Sequence, residues 1–382
     1  MYDELTAFIQ SWFRTEDFIP LHEPRFSGHE REYVLDAIDS TFVSSVGAYV
    51  DRFENELASW LDTRKVVAAV NGTAALQVAL RLVGVKPGDE VITQPLTFVA
   101  TANAIDYNGA HPVFLDVDRD TMGLSALAVQ NFLAEHVERR DEGSFNRRTG
   151  RRIAAILPMH TFGHPCRIKE LCAVADDWRI PVVEDAAEAL GSRVGDRHCG
   201  TFGQLGVYSF NGNKTITCGG GGAISSADVE LATRAKHLTT TAKVPHPWAF
   251  VHDEIGYNYR MPNLNAALAC AQLERLPALL ADKRLLAEAY RKYFSRSDWC
   301  DFLAEPAGCT SNYWLNVIIL KDPDKRDEVL AETNRRGIMT RPIWRLMNEL
   351  DIYRNCQTGS LENARWLEQR VVNLPSSPRL GK

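Results

Sequence analysis

Short apolar runs of four to six residues alternate along the first two thirds of the chain with stretches whose apolar positions recur every three or four residues. The runs fall at 65–70, 90–93, 112–116, 153–158, 180–184, 205–210 and 222–225 and are read as strands. Helical spacing occupies 73–82, 97–107 and 168–178 between them. Strands alternating with helices predict an α/β fold: a mainly parallel, seven-stranded sheet sandwiched by helices, with its active site at the carboxyl ends of the strands. Beyond residue 263 the period changes. Helical spacing runs to 274 and resumes from Pro277 to 294, followed by a strand at 313–320, a helix at 325–336 and a short strand at 338–340. This predicts an N-terminal segment plus large domain at 1–250 and a smaller α/β C-terminal domain at 251–382.

Composition narrows the class. With 382 residues, 45% of them hydrophobic and 24% charged, the chain can bury a large core. A formal net charge of -6 gives no general reason to bind nucleic acid. Residues 1–20 mix acidic, basic and aromatic side chains, unlike a secretory leader, and no apolar run approaches the roughly 20 residues of a membrane span, so a cytoplasmic protein without membrane association is expected. Eight cysteines without a Cys-x-x-Cys pair suggest reduced thiols. His160, His164 and Cys166 are close in sequence, but Gly163 and Pro165 make the segment a turn and no further cluster completes a tetrahedral set, so no metal is expected. The charge run 138–152, with six arginines among acidic residues, reads as a solvated loop rather than a partner site.

Two residues carry the chemistry. Lys214 lies in Ser209-Phe210-Asn211-Gly212-Asn213-Lys214, ahead of the glycine tract 219–222, where a crowded turn lets its amine reach an aldehyde as a Schiff base. Asp185 follows the apolar run 180–184, and a carboxylate at the exit of a buried strand needs a cation or several donors. The protonated ring nitrogen of pyridoxal 5'-phosphate would be that cation, drawing electrons from a substrate carbanion; a helix cap is the plainer reading of Asp185. Asn71-Gly72-Thr73-Ala74 opens a helix whose free N–H groups favour a phosphate, or form an ordinary N-cap. Phe98 can stack on a pyridine ring or fill core, and Ser209 can offer its hydroxyl to the phosphate. The tract 219–222 lacks the Gly-Lys-Ser/Thr ending of a nucleotide triphosphatase and suits close backbone approach beside the cofactor.

These residues, together with Glu184-Asp185-Ala186-Ala187-Glu188-Ala189 and Gly256-Tyr257-Asn258-Tyr259-Arg260-Met261, resemble the DegT/StrS-type nucleotide-sugar aminotransferases of fold type I, from about residue 20 to 380. The segments 21–24, 43–47, 158–165 and 245–248 resemble most the 4-aminotransferases for UDP-linked 4-keto-6-deoxy sugars on routes to legionaminic acid and bacillosamine. The resemblance implies that Lys214 is the Schiff-base lysine and proton shuttle, that Asp185 pairs with the ring nitrogen, that Phe98 stacks on the ring, and that Glu188 sits near its phenolic edge. Gly72, Thr73 and Ser209 would hold the phosphate. Asn258 and Arg260 would reach across from a neighbouring subunit, making a homodimer with shared active sites, and His160 would lie near the sugar nucleotide. The implied reaction moves an amine from an amino acid, L-glutamate in relatives, to the C4 keto group of the UDP-sugar.

Three alternatives stand beside it: a GDP-4-keto-6-deoxymannose 4-aminotransferase of the perosamine type, a cofactor-binding regulator without turnover, and a nicotinamide dehydrogenase. The missing Gly-x-Gly-x-x-Gly after the first strand argues against the last. Related sugar dehydratases carry histidine at the position of Lys214, which disfavours dehydration.

Overall fold

The structure, a computed structural model, describes residues 2–379. Helix α1 (Tyr2–Phe13) is followed, after two further helices, by β1 (Lys65–Ala69), α2 (Gly72–Leu82), β2 (Glu90–Thr93), α3 (Val99–Asp106) and β3 (His111–Phe114). Next come β4 (Ile153–Leu157), α4 (Ile168–Asp177), β5 (Val183–Asp185), β6 (Leu205–Ser209) and β7 (Gly222–Ser226). The seven strands lie in the order β1-β7-β6-β5-β4-β2-β3, with parallel bridges Ile156–Val182 and Met159–Asp185 joining β4 to β5. Only β7 runs against the others, pairing antiparallel with β1 and β6. The sheet is apolar on both faces, as covering by helices requires: Val67, Val183, Val207 and Ile224 join one core cluster, and Ile92, Val113 and Ile156 another.

Two expectations are corrected. Residues 263–294 form one 32-residue helix, α5 (Asn263–Phe294), with Pro277 inside it. Proline removes one hydrogen bond and costs a helix interior about 3 kcal/mol. Leu273, Leu276 and Leu279 nevertheless stay buried on both sides of it, and that packing holds the helix together. The charge run does not form a plain loop. Val137–Arg140 and Gly143–Asn146 pair as a β-hairpin, turned at Asp141-Glu142, with Ser144 and Asn146 buried beneath the exposed arginines.

A second sheet, β8 (Cys300–Phe302), β9 (Asn316–Leu320), β10 (Arg341–Pro342) and β11 (Val371–Leu374), is ordered β8-β9-β11-β10 and wholly antiparallel. Helix α1 packs here: Leu5, Ile9 and Phe13 share a core with Tyr290 and Phe294 of α5 and with Ile318, Leu320 and Val372. Among the described residues no helix is long and apolar enough to cross a membrane.

The main sheet depends on close backbone approach. A Cβ on Gly206 in β6 would overlap the carbonyl of Gly200, and one on Gly222 would lie 2.5 Å from the carbonyl carbon of Asn71. Since backbone cannot yield as a flexible side chain can, Gly206→Ala is expected to destabilise the cofactor-free protein by about 1–3 kcal/mol. Thermal unfolding measures it, and an unchanged midpoint would contradict the contact.

Candidate active site

Five chain segments leaving the carboxyl edge of the sheet enclose a cavity of about 240 Å³. One end of it is the start of α2. Asn71 caps the helix, its Oδ1 accepting from Ala74 N at 2.8 Å while its carbonyl accepts from Ala75 N. Among the described residues the amides of Gly72 and Thr73 have no acceptor, so two helix-start N–H groups face the cavity. Ser209, ending β6, crowds Gly72 so closely that a Cβ there would sit 3.0 Å from its own, which places a hydroxyl beside the free amides. Gly222 backs the same turn.

The other end is Asp185, the last residue of β5 and 2% exposed. Its Oδ2 accepts from Thr101 Oγ1 at 2.7 Å and its Oδ1 from Ala187 N at 3.2 Å. Burial raises its pKa, against the pull of these two bonds and of the Lys214 and His160 charges. No lysine, arginine or histidine forms an ion pair with it among the described residues.

Lys214 and Glu188 lie between the two ends. Lys214 Nζ is 3.1 Å from Glu188 Oε1, and Glu188 Oε2 accepts from Phe162 N at 2.9 Å. Burial lifts the Glu188 carboxyl to about 7, against the pull of Lys214 and the Phe162 amide. Phe98, at the cap position of α3, lines the cavity with half its surface open.

Other expected residues lie elsewhere. His160 does not reach the cavity: it is fully buried, with Nε2 2.9 Å from Glu184 Oε2 and Nδ1 accepting from Cys166 N at 3.2 Å. The ring has no exposed surface and both nitrogens engaged, and its partner in this structure is Glu184. Asn258 and Arg260 bond each other, the Arg260 guanidinium donating to Asn258 Oδ1 at 3.0 Å, and neither lines this chain's own cavity.

Three residues had escaped sequence reasoning. Thr101 binds Asp185; a threonine one turn into a helix carries no signal for that. Trp314 stacks over Lys214 Nζ at 4.0 Å from its ring centre. Asn312 donates to the carbonyls of Glu188 and Leu190 at 2.8 and 2.9 Å. The last two arrive from a segment some hundred residues distant in sequence, which local pattern cannot pair with Lys214.

Larger clefts exist, one of about 880 Å³ beside the hairpin Arg193–His198. The smaller cavity holds the groups that converge. Free amides and a hydroxyl suit a phosphate, a desolvated carboxylate lacking a bonded cation suits a protonated ring nitrogen, and an amine between them suits an aldehyde. These residues fit pyridoxal phosphate, and with the seven-stranded sheet they define a pyridoxal-phosphate-dependent aminotransferase of fold type I. The chain belongs to the DegT/DnrJ/EryC1/StrS aminotransferase family, whose sequence pattern matches residues 24–382.

Similar proteins named GDP-perosamine synthase include the following two. That of Escherichia coli O157:H7 is 34% identical over 365 residues, covering 95% of this chain and 94% of the relative. That of Vibrio cholerae is 36% identical over 368 residues, covering 95% of each. Among solved structures, the aminotransferase TlmJ from Streptoalloteichus hindustanus superposes with a TM-score of 0.85 at 30% identity, over 94% of this chain and 93% of that one. The chain is a nucleotide-sugar aminotransferase. The named relatives match the GDP alternative rather than the UDP-linked acceptor expected from the narrower resemblance.

Glu188 gives a pH test. Its carboxyl is lifted from an ordinary 4.5 to about 7, so the folded chain binds this proton more tightly than the unfolded chain. The contribution is complete below the unfolded value and is lost as pH rises through the folded one, on the order of 3 kcal/mol over that window. In the cofactor-free protein, Glu188→Gln should therefore flatten the fall in stability between about pH 5 and about pH 8, with the Asp185 contribution left in place. Urea unfolding at the two ends measures it; an unaltered slope would contradict the assignment.

Proposed function

We propose that this enzyme aminates the C4 keto group of a GDP-linked 4-keto-6-deoxy sugar, with L-glutamate as donor and 2-oxoglutarate as the departing product. The observation that carries the site reading is the Lys214 amine, 3.1 Å from Glu188, in a cavity that ends in two free helix amides and in a buried carboxylate. The preference for GDP over UDP is supported by the names of the two similar proteins above. The donor leaves before the acceptor enters, so one cavity serves both half-reactions.

Bound pyridoxal phosphate supplies an aldehyde that can exchange for an amine and a ring that withdraws electrons from the adjoining carbon. The chain does the rest. Gly72, Thr73 and Ser209 would hold the phosphate, and Phe98 would cover the ring. Asp185, kept anionic by the ring-nitrogen cation, would hold the ring's other end. Lys214 Nζ takes the proton from the substrate carbon and gives it back, a positioned transfer worth typically 10²- to 10⁴-fold. Glu188, with a pKa about 7, can hold a proton close to the reacting groups at neutral pH.

We infer a homodimer with shared sites as the working unit. Trp248, Phe250 and Ile255 are 82%, 83% and 81% exposed, on the segment that leads into Asn258 and Arg260. Apolar side chains so far into water mark a surface that another chain covers. A second copy would bring Asn258 and Arg260 towards a cavity that they do not line in their own chain.

Two measurements test this. In a panel of GDP- and UDP-linked 4-keto-6-deoxy sugars with L-glutamate, kcat/KM should be at least about tenfold higher on the GDP acceptor, a difference of about 1.4 kcal/mol. Equal or reversed preference would restore the UDP reading, and no turnover with any acceptor would leave the cofactor-binding regulator. Mixing inactive Lys214→Ala and Asn258→Ala chains should restore activity in hybrids if sites are shared; none restored would refute sharing.

A further inference from the structure

Lys214 is bracketed by a segment of the C-terminal half that the cofactor assignment does not use. Ser311-Asn312-Tyr313-Trp314 enters beside the cavity, and Asn312 and Trp314 grip the turn on both sides of Lys214. Asn312 Nδ2 donates to the carbonyls of Glu188 and Leu190 and lies 3.3 Å from Thr215 Oγ1, the residue after Lys214. Trp314 Nε1 donates to the carbonyl of Asn213, the residue before it, at 2.7 Å. The indole face lies 4.0 Å from Lys214 Nζ. The tryptophan is itself pinned from α5: the fully buried Lys283 donates from Nζ to the Trp314 carbonyl at 3.1 Å and to the Ser376 carbonyl at 2.7 Å.

An amine that must accept a proton and then return it depends on how strongly its surroundings favour the ammonium form. The groups facing Nζ are few. Glu188 lies at 3.1 Å, and the Lys214 charge in turn pulls the Asp185 and Glu188 carboxyls down against their burial. On the other side His22 has both ring nitrogens closed off from solvent, and burial together with the Lys283, Lys214 and Arg25 charges holds its pKa well below the usual imidazole value, against a backbone hydrogen bond with Asn213. It offers Lys214 no charge. The Trp314 contact is a ring face, which attracts an ammonium through its quadrupole, most strongly when the ring is an indole shielded from water. Trp314 is 5% exposed.

We propose that Trp314 is a catalytic residue of the transamination: its indole face strengthens the proton affinity of the Lys214 amine whenever that amine is unattached, and its N–H holds the turn that presents Lys214. The role is the same whichever nucleotide the acceptor carries. It therefore stands or falls separately from the GDP preference.

The test reads the amine itself in the cofactor-free protein. Competitive acetylation with trace acetic anhydride across a pH series, with the Lys214 peptide quantified by mass spectrometry, gives the Lys214 ionisation directly. Trp314→Leu removes the face and the N–H; Trp314→Phe removes the N–H and leaves a weaker face. The Lys214 pKa should fall by about 0.4–1.5 pH units in Trp314→Leu, and by less in Trp314→Phe. In the holoenzyme the pH limb of the glutamate half-reaction should move in the same order. Identical Lys214 titrations in wild type and both variants would overturn the proposal, even if rates fell, because a purely structural tryptophan lowers the rate without moving the ionisation. Should Trp314→Leu fail to fold, biosynthetic replacement of tryptophan by 5-fluorotryptophan, which weakens the ring face at constant shape, gives the same reading: a lowered Lys214 pKa supports the proposal and an unmoved one refutes it.

Discussion

A carboxylate held out of water at the end of a central strand is the constraint on which this site turns. Among the described residues Asp185 has two hydrogen bonds and no bonded cation, and its burial already pushes its pKa upward. Breaking a buried charge pair by removing one partner typically costs about 3–5 kcal/mol, so a chain that keeps such a group has a partner to gain. The protonated ring nitrogen of pyridoxal phosphate would be that partner. The free amides of α2 would then hold the phosphate, and Lys214 would meet the aldehyde.

The neighbouring residue shows how narrowly the role is assigned. Glu184 and Asp185 are adjacent on one strand and so point to opposite faces. Glu184 accepts from Gly200 N at 2.8 Å, Phe202 N at 2.5 Å, Gly203 N at 2.7 Å and the His160 ring at 2.9 Å, a set of donors that answers its charge within the protein. It braces the loop between β5 and β6 against the sheet, and His160 serves that brace. Asp185 is left with fewer donors and faces the cavity. Two carboxylates of like burial thus divide into a structural anion and one available to a ligand, and the division rests on how many backbone amides reach each.

Much of this was legible in the sequence because the chemistry sits on local signals. Asn71-Gly72-Thr73 announces a capped helix start, the run before Asp185 announces a strand end, and Lys214 stands among small residues that permit close approach. The seven strands followed from periodicity, which burial on both faces makes strong. What failed did so where distant packing overrides local preference. Pro277 predicts a break, but leucines on both sides stay in the core and the helix continues. The arginine-rich run predicts a loop, but its alternate residues Ser144 and Asn146 are buried and a hairpin forms. His160 lies in the segment 158–165 whose resemblance suggested a sugar contact, and its ring bonds Glu184. Trp314 and Asn312 could not be paired with Lys214 and Glu188 by any local rule, since the contact exists only once the C-terminal half has docked.

The central claim is that the ring nitrogen of the cofactor stays protonated because Asp185 faces it. Nitrogen-15 magnetic resonance of the holoenzyme carrying ring-labelled pyridoxal phosphate reads that proton directly. A pyridinium signal in the wild-type enzyme through neutral and mildly alkaline pH, replaced by an unprotonated pyridine signal in Asp185→Asn, is the predicted result. An unprotonated nitrogen in the wild type, or a pyridinium that survives the substitution unchanged, would contradict it.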